Sequence, residues 1–159
     1  MESLRKTLLD FASAEMDNIK ANDTPLVSRM RDEALARFQD KGFPTRKMEH
    51  WRHSKIIENQ GITYNIKADR FSNSCHEFNC MIKDFDTEVI TIKNGVIADS
   101  DRFRTLGNGI IIGSTMEAMR RLPELFDRHF GKCHTDETNG FTDINTALWQ
   151  DGFFIYVPK

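Results

Sequence analysis

The chain ends on a strand that must be covered. Phe153-Phe154-Ile155-Tyr156-Val157 is aromatic or β-branched and carries no charge. That is the composition of a strand inside a sheet, where neighbours satisfy its backbone groups. Asp151-Gly152 precedes it, with Ala147-Leu148-Trp149 on the other side. Asp-Gly between apolar runs predicts a two-residue type I′ hairpin, because Gly accepts the positive φ this turn demands. The hairpin is therefore expected within residues 145–159. A chain closing on its most core-like strand reads as a piece of a longer protein. Alone, it is expected to self-associate as a homodimer through residues 145–159, since an uncovered strand is a template for edge-to-edge pairing.

The remaining 144 or so residues exclude several classes. The chain of 159 residues is one domain's length, with room for an appended element. Its 22 basic and 24 acidic residues leave a net charge of −2, so no global field attracts nucleic acid or an anionic membrane. No apolar run approaches the ~20 residues that span a bilayer. Met1-Glu2-Ser3-Leu4-Arg5-Lys6 opens an amphipathic stretch and is not a signal peptide. Three irregularly spaced cysteines argue against a disulfide framework and for a reducing compartment, here the cytoplasm.

Periodicity organises the first half. Leu4, Leu8, Phe11, Ala12, Met16 and Ile19 recur at three- and four-residue steps, predicting an amphipathic helix over residues 2–20. Thr24-Pro25 reads as an N-cap followed by proline at the first helical position. A second helix, with Val27, Met30, Ala34 and Phe38 on one face, is expected to stop at Gly42 before Pro44 and to lie antiparallel to the first. After Ile62 the pattern turns to strand. Asn94-Gly95 predicts a hairpin, Ile110–Ile112 a short strand, and Ser114-Thr115-Met116-Glu117 a capping box opening a helix. Pro123 should break that helix, and a second short one should run to Gly131.

Three segments carry candidate chemistry. Gly107-Asn108-Gly109 with Gly113 resembles a phosphate loop, but the glycines precede a strand and lack the G-x-G-x-x-G spacing, so a turn is expected. No Walker sequence is present. Cys75, Cys80, Cys133 and His134, with His76, form the one soft-ligand constellation suited to zinc or iron–sulfur ligation. The four-residue gap from Cys75 to Cys80 is not that of a zinc knuckle, so no metal, cofactor or catalytic residue is assigned. Arg46 to Lys55 is basic around Trp51. Such interleaving can bind nucleic acid, but Trp51 is expected to be buried as an anchor near Phe38 or Phe43, with the cations arranged around it.

Two stretches carry a resemblance. Phe38 with Gly42-Phe43-Pro44-Thr45-Arg46-Lys47-Met48-Glu49-His50-Trp51-Arg52, and Asn145-Thr146-Ala147 with Gln150-Asp151-Gly152, Phe154-Ile155-Tyr156-Val157-Pro158-Lys159, resemble the N-terminal region of the SufB/SufD family. The first tilts the resemblance to the SufD branch. The resemblance implies a non-catalytic subunit of the SufBCD scaffold for iron–sulfur cluster assembly, with SufB and SufC as partners. It also implies a right-handed parallel β-helix beyond this region, where the partner contacts and family ligands lie, so no functional residue is carried over. The expected fold is α+β: a helical region over 1–60, a small α+β unit over 61–144, and the first hairpin of a truncated β-helix over 145–159. The rival reading is a small metal- or thiol-dependent protein using Cys75, Cys80, Cys133 and His134.

Overall fold

The computed structural model describes residues 2–54, 66, 88–93, 95–98, 101–133 and 139–159. They form two compact units that interleave along the chain, Met1–Ile66 with Met119–Trp149, and Lys67–Ala118 with Gln150–Lys159. The boundaries expected at 60 and 144 follow chain order. The two units instead bring the later helices back onto the N-terminal ones.

The first unit is helical. α1 runs Glu2–Lys20 and α2 runs Pro25–Lys41. Thr24 caps α2 as expected, its Oγ1 accepting from the Val27 amide at 3.3 Å, with Pro25 supplying the first helical residue. Gly42 ends the helix at φ 63°, a conformation costly for residues with a Cβ, and its amide donates to the Phe38 carbonyl at 2.9 Å. The buried face of α2 is Val27, Arg31, Ala34 and Phe38. Arg5 early in α1 donates to the Gln39 carbonyl late in α2 at 2.6 Å, and Lys20 pairs with Asp32, so the contacts run in antiparallel order. Yet the main neighbour of α2 is α5, Gly140–Leu148, rather than α1. Between them in sequence, α3 spans Thr115–Arg121 and α4 spans Pro123–His129, broken at Pro123 as the ring demands.

α5 corrects the hairpin expectation. Its residues occupy the place assigned to the first arm. Asn139 caps it, the side-chain oxygen accepting from Phe141 and Thr142 amides at 3.0 and 3.3 Å. With the start of this helix satisfied, Phe141, Ile144, Ala147 and Leu148 read at helical spacing. Gly140 allows a backbone-to-backbone approach, because a Cβ there would lie 1.9 Å from the Gly42 carbonyl oxygen.

Among the described residues the second unit holds two small antiparallel sheets. β1, Ile92–Lys93, and β2, Val96–Ile97, form the predicted hairpin, turning at Gly95. β3, Phe103–Thr105, pairs antiparallel with β4, Ile111–Ser114, through a turn closed by the Leu106 amide on the Ile110 carbonyl at 2.8 Å. The glycine-rich segment is thus a turn feeding a strand. β5, Phe153–Tyr156, pairs antiparallel with β4, placing Ile112 opposite Ile155 and Ser114 opposite Phe153. The strand order is β3-β4-β5. β5 therefore finds its partner in β4, not in the residues just before it.

Candidate functional site

Three constellations stand out among the described residues. The first surrounds Arg31, which is fully buried on the apolar stripe of α2. Its Nε donates to Asp23 Oδ2 at 2.7 Å and its Nη2 to Asp23 Oδ1 at 3.3 Å. Nη1 donates to the carbonyls of Ala147 and Trp149 at 3.1 and 2.7 Å, and the guanidinium lies 4.4 Å from the Trp149 ring centroid. One planar fork thus neutralises a buried carboxylate, caps the C-terminal carbonyls of α5 and stacks on an indole. The neighbouring Thr24 hydroxyl donates to Asp127 Oδ1 at 2.9 Å, drawing α4 to the same turn. Further toward the start of α5, buried Asp143 accepts from Arg37 Nε at 2.8 Å.

The second surrounds Asp151. Its Oδ1 accepts from the Ser114 hydroxyl at 2.7 Å, the Met116 amide at 3.3 Å and its own neighbour's amide, Gly152, at 2.9 Å. Its Oδ2 accepts from Arg102 Nη2 at 3.2 Å. Ser114 in turn accepts from the Glu117 amide at 3.2 Å, the serine half of the predicted capping box. Asp151 therefore serves the start of α3, where a carboxylate suits the free amides and the positive end of the helix dipole. It is not the first residue of a tight hairpin turn.

The third is a surface. Alternation along β5 turns Phe154 and Tyr156 to one side and leaves Phe153, Ile155 and Val157 41%, 55% and 64% exposed on the other. Val89 and Ile92 of the same unit are also more than half exposed. A row of large apolar side chains on an uncharged strand is the kind of surface that marks an interaction site.

The residues singled out beforehand distribute differently. Cys75, Cys80 and His134, with His76, lie outside the described residues. Cys133 is exposed and free. Among the described residues no group of three or more His, Cys, Asp or Glu is placed to hold a metal ion. Trp51 is half-buried at the end of a 3₁₀ turn, Glu49–Trp51. Its ring lies 5.4 Å from Phe141, which continues through Phe43 at 4.9 Å to Phe38 at 5.0 Å. The anchor therefore sits on α5, with Phe43 and Phe38 behind it, and is less enclosed than expected. In the surrounding basic stretch Arg52 pairs with Glu49 at 3.0 Å, both well exposed. Sequence reasoning missed Arg31, Asp143 and Asp151. Only Arg31 carried a signal: it occupies the fourth-residue step of the stripe Val27, Arg31, Ala34, Phe38, where an isolated cation must find a partner. No helix of the described residues is long and apolar enough to cross a membrane.

What these features define is a protein of mixed helix and strand with antiparallel sheets, carrying buried polar anchors and, among the described residues, an exposed apolar strand face. The model of the SufBD protein N-terminal region matches residues 2–159, and the chain belongs to that family. An iron–sulfur cluster assembly SufBD family protein of Arabidopsis thaliana is 36% identical over 52 residues, 33% of this chain and 11% of that protein. A second from the same plant, described as chloroplastic, is 33% identical over 63 residues, 40% of this chain and 11% of that protein. A SufBD family protein of Staphylococcus saprophyticus is 43% identical over 51 residues, 32% of this chain and 11% of that protein. The matched stretches thus span about a ninth of the relatives' own length. No solved structure matches the chain.

Proposed function

We propose that this chain is the N-terminal part of a SufD-type subunit that serves iron–sulfur cluster assembly as a structural, non-catalytic element. The observation that carries the reading is the family match over residues 2–159, joined to relatives named as iron–sulfur cluster assembly proteins. The Gly42-Phe43-Pro44-Thr45-Arg46 turn and Trp51 favour the SufD branch. In this reading the protein works in the cytoplasm with SufB and SufC, the helical unit supports the entry to a parallel β-helix, and the outward face of β5 is a packing surface for protein.

The test uses the gene product in its own cell. Tagged protein is expected to recover SufB and SufC, and a deletion of residues 2–159 from the encoded protein is expected to lower the activity of iron–sulfur enzymes. Recovery of neither subunit, with iron–sulfur enzymes unaffected by the deletion, would overturn the reading. Stoichiometric zinc or iron, lost on substitution of Cys75, Cys80, Cys133 or His134, would move the protein to the metal-dependent class instead.

A further inference from the structure

Arg31 joins two places far apart in sequence. One is the α1–α2 turn, where Asp23 accepts two of its donors. The other is the end of α5, where the Ala147 and Trp149 carbonyls accept two hydrogen bonds and the Trp149 ring takes the cation. The Arg31 and Asp23 side chains are each 1% exposed, so solvent cannot replace either partner without opening the site. The last carbonyls of a helix lack partners within it, and at this end the guanidinium takes two of them.

We propose that Arg31 is a positioning residue that couples the α1–α2 turn to the C-terminal turn of α5, so that the two open together as one local unit. The reason is geometric. The fork is planar and rigid, and its orientation is set by Asp23. If Asp23 releases it, the fork has no fixed plane from which to hold both carbonyls and the indole. The buried cation is then uncompensated, and the least costly response is to open toward water, which exposes Trp149. The converse follows from linkage: loosening the indole must loosen the turn by the same factor. Neither end needs to touch the other.

Native-state hydrogen exchange on the full 159-residue chain reads both ends. The Trp149 amide donates to the Asn145 carbonyl at 3.0 Å, and the Asp23 amide donates to the Lys20 carbonyl at 2.9 Å. Asp23→Asn is expected to raise exchange at the Trp149 amide by about tenfold or more, while amides in the middle of α2 change little. Trp149→Phe, which keeps an aromatic ring but weakens the cation contact, is expected to raise exchange at the Asp23 amide in return. Asp32→Asn, which removes only the exposed pair with Lys20, should leave Trp149 unmoved. Arg31→Lys should not restore the coupling, since an ammonium cannot present the fork. If Asp23→Asn fails to fold, the Trp149→Phe arm decides alone. Unchanged exchange at the opposite end, or an equal rise at every helical amide, would overturn the proposal.

Discussion

At the residue scale, Arg31 and Asp23 stand apart as charged side chains that are each 1% exposed. Arg31→Met would leave the buried Asp23 carboxyl group without its partner. We expect a loss of about 3–5 kcal/mol in urea unfolding, the range for removing one member of a buried pair. The cost lies in the orphaned carboxylate, so Asp23→Asn made together with Arg31→Met should recover part of it. Trp51 is different in kind. Its ring packs on Phe141 but stays half-exposed, so Trp51→Ala should cost roughly 1–3 kcal/mol, below the 3–5 kcal/mol of a fully enclosed aromatic. Fluorescence of Trp51 in a Trp149→Phe background checks the same point, since a fully solvated indole spectrum would contradict the packing. Cys133 is exposed, and Cys133→Ser is expected to leave the unfolding midpoint unchanged.

At the element scale, the decisive case is α5. Asn139 supplies the cap and Gly140 the close approach to Gly42. Asn139→Ala should cost about 1 kcal/mol, as for other lost N-caps. Gly140→Ala should cost more, because its Cβ would meet a backbone carbonyl that cannot swing aside as a side chain would. A thermal melt of the two variants side by side tests the order, and an unperturbed Gly140→Ala would place α5 elsewhere. The two helices α1 and α2 were legible to within a residue at most ends, since their stop and start signals are local: Thr24-Pro25 at one end of α2, Gly42 at the other. The hairpin at Asp151-Gly152 was misread because a dipeptide rule sees only neighbours in sequence. Asp151 had a stronger use, four hydrogen bonds to Arg102, Ser114, Met116 and Gly152.

At the scale of the whole molecule, the exposed side of β5 gives the last prediction. Phe153, Ile155 and Val157 lie outward on a strand free of charge. The 159-residue chain is therefore expected to self-associate through β5 at high micromolar concentration, and Ile155→Lys is expected to shift it toward monomer in sedimentation. A monomeric unmodified chain would remove the idea. The sequence by itself determined α1 to α4, the caps at Thr24, Gly42 and Ser114, the break at Pro123, the Gly95 and Gly109 turns, the alternation of β5 and, through its motifs, the family. All of these depend on residues a few positions apart, where propensity, capping and periodicity act. Only the tertiary structure decided that α2 packs chiefly on α5, that β5 pairs with β4, that the two units interleave along the chain, and which partners Arg31 and Asp151 hold. Those outcomes depend on which distant group comes within about 3 Å of a donor or acceptor, and a buried charge takes whichever partner the packing brings to it.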